Sequence, residues 1–431
     1  MRYDPIDPQL FVRNRARLRK LLKPNSIVIV HSNDIFPTNA DGVMPHKQNA
    51  DLFYLTGVDQ ENTVLVLMPD AGDEREREIL FVTETSEHIA VWDGEKLTKE
   101  QAKERTGIER VEWVEGFEGW LHRLIPQVDH IYLATNEHLR AAVVVETAND
   151  RFIKKCKARY PLHHYERLAP LMHRLRMIKD QEELKFIQKA CDITEAGFRR
   201  LLGFIKPGVG EWEIEAELMH EFLRRGSRGF AYNPIIGSGK NACVLHYIEN
   251  DSVCEDGQMV LMDVAAEYGG WASDMTRTVP VNGRFTERQR AVYDSVLRVL
   301  RAANEILRPG NTPIEYQKQV VELMEAELVN LGLISAKEAK EQGKDKPLVK
   351  KYFMHGTSHH MGLDVHDVAP PHEPFAEGMV FTIEPGIYIR EEGLGVRLEN
   401  DVVIGADLNF DLMGNIPIEA DEIEELMNAG R

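Results

Sequence analysis

The sequence predicts two domains, an α/β domain followed by a larger one of long helices and short strands, and three observations lead there. At 431 residues the chain exceeds what a single hydrophobic core ordinarily organises. Over the first 170 or so residues, short runs rich in Val and Ile alternate with amphipathic stretches, the pattern of an α/β domain. Beyond Pro170 the pattern changes to long capped helices and then to Gly- and Pro-rich strand-like runs, so the domains are expected at 1–173 and 174–431.

Taken in order, strands are expected at 26–33 (SIVIVHSN), 62–70 (NTVLVLMPD), 78–85 (EILFVTET) and 130–135 (HIYLAT). Helical periodicity marks 8–22 and 115–125 between them. In the second domain Asp180 can cap a helix with Glu183 reaching back to complete a capping box, and Thr286 with Gln289 repeats the signal. Thr312 repeats it again, with Pro313 at the first helical position and Glu315 to close the box. The charged run AKEAKEQGKDKPLVKK reads as a solvated loop or frayed helix. Two Pro-Gly pairs, at 207–208 and 309–310, each follow an amphipathic helix and lead into another, as in a domain of two similar halves.

Composition excludes several classes. With 70 acidic against 52 basic residues and a net charge of −18, the surface would repel phosphate backbones, so no nucleic-acid partner is expected. No apolar run approaches the roughly 18 residues of a membrane span, and MRYDPIDPQLFVRNRARLRK has no apolar core of a secretory signal. The four cysteines (Cys156, Cys191, Cys243, Cys254) include no CxxC pair and fit reduced thiols in a cytoplasm; Cys243 reads as a small buried strand residue.

Four segments set acidic or imidazole groups in apolar surroundings. In QMVLMDVAAEYGGWASDMTRTVPV (258–281), Asp263 and Asp274 flank a Gly-Gly turn, and a hairpin over Tyr268–Trp271 would bring both carboxylates to adjacent strands. FMHGTSHHMGLDVHD (353–367) holds His355, His359, His360 and His366. A lone histidine is ordinarily a satisfied structural one, but four so close together suit metal binding or polarisation of a carbonyl. GMVFTIEPGIYI (378–389) carries Glu384, and LGVRLENDVVI (394–404) carries Glu399 beside Arg397. Buried carboxylates are costly without a cation, protons or several donors. Two divalent ions would balance four carboxylates around a neutral imidazole and leave room for a bridging hydroxide. The oxygen-rich donors suit a hard ion, most simply Mn(2+). Two ions about 3.5–4 Å apart can activate water and stabilise an oxyanion, which is hydrolytic chemistry.

The order Asp, Asp, His, Glu, Glu resembles the pita-bread metallopeptidases, over the whole of 175–431. HGTSHHMGLDVHD, TIEPGIYI and IIGSGKNACVLHYIEND (235–251) are similar to aminopeptidase P and prolidase more than to methionine aminopeptidase. QNADLFYLTGVDQENTVLVLMPD (48–70) resembles the N-terminal domain of bacterial aminopeptidase P, also found in creatinase, which lacks the metal ligands present here. The fold implied is an α/β N-terminal domain of the creatinase/aminopeptidase P type followed by an α+β pita-bread catalytic domain.

The resemblance implies that Asp263, Asp274, His359, Glu384 and Glu399 hold two divalent ions, and that Glu384 is also the general base. His246 and His366 would donate to the scissile carbonyl or its oxyanion. His355 would line the proline pocket, and Arg397, counted with the substrate-binding residues, would orient a metal-bound carboxylate; Tyr232 is a further supporting candidate. His359 rather than His360 is the ligand by the H-G-x-S-H pattern, and in an extended stretch His360 would point away from the face shared by His355 and His359. The substrate implied is a peptide with proline second, cut after its first residue. Prolidase, acting on Xaa-Pro dipeptides, is the alternative; the short gap of fifteen positions between the two glutamates favours aminopeptidase P. A metal-free binding protein is a further reading, against which all five ligands stand intact. A homodimer or homotetramer is implied, with Trp92 a candidate to reach a neighbouring subunit.

Overall fold

The computed structural model describes residues 2–138, 140, 143–342 and 347–429 and divides into two compact units, Pro5–Arg176 and Met177–Arg431, the latter with the chain's first four residues.

The first unit is built on a six-stranded sheet of β1 (Ser26–His31), β2 (Val64–Leu67), β3 (Glu78–Val82), β4 (Arg110–Trp113), β5 (His130–Leu133) and β6 (His164–Arg167). The order is β4-β3-β2-β1-β5-β6, antiparallel between β1 and β2 and between β2 and β3, parallel at the other pairings. The four expected strands form the middle of this sheet. The two outer strands carry RVEW and HYER, too polar to be marked by an apolar run, as befits sheet edges. Ile27, Ile29, Val66, Ile79, Phe81 and Ile131 fill one face and pack on Phe117, Leu121 and Phe152 of helices Phe117–Leu124 and Ala148–Arg159.

The second unit contains two successive helix pairs. Helix Gln181–Phe204 is capped by the Asp180–Glu183 box and helix Glu287–Ile306 by the Thr286–Gln289 box. Gly208 and Gly310 turn the chain in the left-handed region (φ 92° and 87°) into helices Glu211–Arg224 and Pro313–Asn330. Thr312 caps the last of these, but Glu315 does not close a box: the Thr312 N–H already donates to Asn311 Oδ1 at 2.8 Å. Of the charged run, Ala336–Glu341 is helical and 343–346 lie outside the described residues.

Small sheets complete the unit. β7 (Ile235–Ser238), β8 (Met259–Asp263) and β11 (Thr276–Pro280) form one, with β8 central. The excursion between β8 and β11 is the two-residue hairpin β9 (Glu267–Tyr268) and β10 (Trp271–Ala272), which turns at Gly269 and Gly270 with φ of 61° and 96°. β12 (Val380–Ile383), β15 (Asn400–Val403) and β16 (Phe410–Asp411) form another sheet, and β13 (Gly386–Ile389) pairs with β14 (Leu394–Arg397) in a third. All four cysteines are free and buried; Cys243 lies in the 3-10 turn Gly239–Cys243 rather than in a strand. Among the described residues no helix is long and apolar enough to cross a membrane.

Candidate metal centre

The acidic groups sit where strands end. β12 and β13 are two arms of one bent strand, and so are β14 and β15; Ile383 pairs with Asn400 and Gly386 with Arg397, so Glu384 and Glu399 fall in the bends between the paired arms. At each bend the glutamate N–H turns to a third segment, Glu384 to Thr357 O (2.7 Å) and Glu399 to Thr276 O (3.0 Å). Pro385 has no N–H to continue a ladder and favours extended backbone at Glu384. Asp263 closes β8 opposite Thr276, and Asp274 lies just before β11 with its N–H on Asp401 Oδ2 at 2.9 Å. The excursion thus brings the two aspartates near one another, though Asp274 is outside the strand expected to carry it.

Asp274, His359 and Glu399 each offer a ligand atom within 4.8 Å of the others. The His359 Nδ1 lies 3.0 Å from the His360 carbonyl, which can only accept, so Nδ1 carries the hydrogen. Its Nε2 faces Asp274 Oδ2 at 3.4 Å and Glu384 Oε1 at 3.6 Å. Asp263 accepts from Tyr232 Oη (2.6 Å) and Arg397 Nη2 (2.7 Å).

Arg397, 4% exposed, links much of the centre. Its Nε donates to Thr276 Oγ1 (3.1 Å), which donates to Glu399 Oε2 (2.6 Å). Its Nη1 donates to Tyr388 Oη (2.8 Å), and the Tyr388 hydroxyl lies 2.8 Å from His355 Nε2. Since His355 Nδ1 is 2.7 Å from the Gly356 carbonyl, Tyr388 donates to Nε2. His366 stands edge-on to His359, ring centres 4.2 Å apart. His246 is exposed.

Charge in the centre is unbalanced. Burial, then repulsion from neighbouring carboxylates, holds Asp274 and Glu399 well above the usual carboxylate range. Burial raises Glu384 to about 7 against the opposing pull of His359 and Arg397. Glu399 Oε1 is buried and has no hydrogen-bond partner. Four carboxylates with one guanidinium and an oxygen without a partner leave negative charge that a cation would balance, and the donor set fits divalent ions.

His360 leaves the face of His359, as extended backbone requires: it bridges to Phe381 and packs on that ring at 4.1 Å. Burial lowers it to about 3, so it is neutral. Three residues beyond the sequence reading take part, namely Thr276, Tyr388 and Asp401. Of the three only Asp401 carries a signal, a carboxylate in the same apolar run as Glu399.

Residues 185–406 match metallopeptidase family M24, and residues 11–132 match the aminopeptidase P N-terminal domain. The chain belongs to metallopeptidase family M24. It is 35% identical to the Xaa-Pro aminopeptidase of Escherichia coli, over 99% of each chain. It is 31% identical to rat Xaa-Pro aminopeptidase 3, covering 93% of this chain and 80% of the relative. Among solved structures, zinc-substituted Escherichia coli aminopeptidase P in complex with product superposes with a TM-score of 0.88 at 33% identity, over 99% of this chain and 100% of that one. The expected fold, an aminopeptidase P type N-terminal domain before a pita-bread catalytic domain, is therefore the fold of this chain, and the protein is a metallopeptidase.

Proposed function

We propose that the chain is an aminopeptidase that removes the first residue from peptides with proline in second position. It would use two divalent ions, most simply Mn(2+), held by Asp263, Asp274, His359, Glu384 and Glu399. The observation that carries the site assignment is the convergence of Asp274, His359 and Glu399 ligand atoms within 4.8 Å of one another, with Glu399 Oε1 left without a hydrogen-bond partner. The Xaa-Pro preference is supported by the names of relatives matched over nearly the whole chain.

When bound, the ions would supply an acidified water and positive charge opposite the developing oxyanion. Glu384, held as a carboxylate when the ions are bound, would take a proton from the attacking water. His246 and His366 donate to the carbonyl oxygen as charge develops on it. Arg397 and Thr276 hold Asp263 and Glu399 in their orientations. Tyr388 holds His355, which burial lowers to about 3, so that a neutral ring lines the proline pocket.

The test compares an Xaa-Pro-Xaa tripeptide with the matching Xaa-Pro dipeptide, using manganese-loaded protein and a Glu384→Gln control. Release of the first residue from the tripeptide, lost in the control, is the expected result. Cleavage of the dipeptide alone would make the protein a prolidase. Cleavage of neither, with no metal retained, would overturn the catalytic assignment. The N-terminal domain is proposed to mediate a dimer or tetramer, with Trp92, 77% exposed, available to a neighbouring subunit; sedimentation of the wild type and Trp92→Ala tests this.

A further inference from the structure

His246 is an exposed side chain with a demanding task, and burial does not fix its place. Its neighbours must. It lies on the excursion between β7 and β8, after the 3-10 turn Gly239–Cys243, and one carboxylate reaches Ser238 before that turn and Tyr247 and Ser252 after it. Glu211, 0% exposed, accepts at Oε1 from the Ser238 N–H (2.7 Å) and Ser238 Oγ (2.8 Å). At Oε2 it accepts from the Ser252 N–H (2.9 Å) and meets the Tyr247 hydroxyl (2.8 Å), whose one proton it shares with Asp251 Oδ1 (2.9 Å). No ion pair reaches it among the described residues; four hydrogen bonds and its place at the first turn of helix Glu211–Arg224 offset its burial.

The anchoring is local to His246. Tyr247, the next residue, is 8% exposed and packs with Ile235, Cys243, Leu261 and Tyr388, with Leu245 against the same cluster. Asn250, at φ 48°, accepts from the Ile236 N–H (2.9 Å) and donates to Glu215 and the Pro234 carbonyl. His246 is thus carried between two residues seated in one apolar cluster, one of them tied to Glu211.

We propose that Glu211 is the positioning residue for His246, holding the excursion 239–251 so that the imidazole meets the scissile carbonyl. This rests on the role given to His246 above. Each oxygen of Glu211 accepts from a backbone N–H, of Ser238 at Oε1 and Ser252 at Oε2, so a glutamine would turn its amide hydrogens toward one of them whichever way it flipped.

The experiment is a double-mutant cycle on the metal-loaded full chain, reading kcat/KM on an Xaa-Pro-Xaa tripeptide, bound metal, and hydrogen exchange over 239–252. Glu211→Gln is expected to retain its metals, to quicken exchange in that segment, and to lower kcat/KM on the order of 10- to 100-fold. In a His246→Ala background the same change should lower it less than about threefold. An equal factor in both backgrounds would overturn the proposal and leave His246 its role. A His246→Ala variant of unchanged kcat/KM would overturn both. If Glu211→Gln fails to fold, Tyr247→Phe, which withdraws one donor and adds no atom, carries the same cycle.

Discussion

The N-terminal domain buries charge only in company, whereas the catalytic domain buries it unbalanced. In the former, Arg15 is wholly enclosed, but its Nε meets Glu78 (2.9 Å) and its Nη1 the Leu55 carbonyl (2.8 Å). Nearly enclosed Arg176 likewise meets Asp51 at 2.8 Å. In the latter, Asp274, Glu399 and Asp401 are buried together, and Glu399 and Asp401 each keep an oxygen without a partner. A structural domain gives each charge it buries a counter-charge because an unbalanced one costs stability; a metal site tolerates the imbalance because a ligand removes it. The contrast is one of clustered buried carboxylates, since single buried polar atoms without a partner, such as Arg15 Nη2 and His31 Nε2, occur in the N-terminal domain too.

The sharpest way to break that contrast is to take the metal away. Activity is expected to vanish on chelation, and only the catalytic domain should lose stability, read by domain-resolved hydrogen exchange. Restoring a divalent ion at about 100 times its Kd should return about 2.7 kcal/mol to that domain; an equal return in the N-terminal domain would sink the comparison. Conversely, Phe81→Ala, in the sheet core, should cost the N-terminal domain about 3–5 kcal/mol and leave metal affinity unchanged by calorimetry.

Acid should separate the two by sign. His31, buried against Phe117 and Phe152, is lowered to about 4 by burial, so its contribution is complete above the unfolded value near 6.5 and is lost as pH falls through 4. The N-terminal domain should lose up to about 3 kcal/mol over that window, and His31→Phe should abolish the loss. In metal-free protein, Glu384 is raised to about 7, so its contribution is present below about 4.5 and is lost as pH rises through 7. The metal-free catalytic domain should therefore gain, in thermal unfolding, from the acid that weakens its neighbour. The smallest effect is expected of Thr276→Val, which removes the donor to Glu399 Oε2: about 1.5–3 kcal/mol in the charge-assisted bond, seen as weakened metal binding.

The same contrast explains what the sequence made legible. Asp263, Asp274, Glu384 and Glu399 stood out because a carboxylate in an apolar run is anomalous, and the apolar strands β1, β2, β3 and β5 because burial leaves a periodic record. Thr276 and Tyr388 did not stand out, since a threonine or tyrosine in a strand is ordinary and its role depends on what lies across the sheet. Strands β4 and β6 lay hidden because an edge needs no apolar signature. The helix box expected at Thr312 failed because the preceding Asn311 side chain took the N–H that Glu315 would have satisfied.

The bends at Glu384 and Glu399 have a bearing on inheritance. What shapes each bend is main chain, a glutamate N–H given to Thr357 or Thr276, with Pro385 unable to pair at the first, and none of this depends on a carboxylate. Chemistry and architecture are therefore written in different atoms. A descendant could exchange both acids for amides and keep its shape, free to be selected for holding a peptide instead of cutting it.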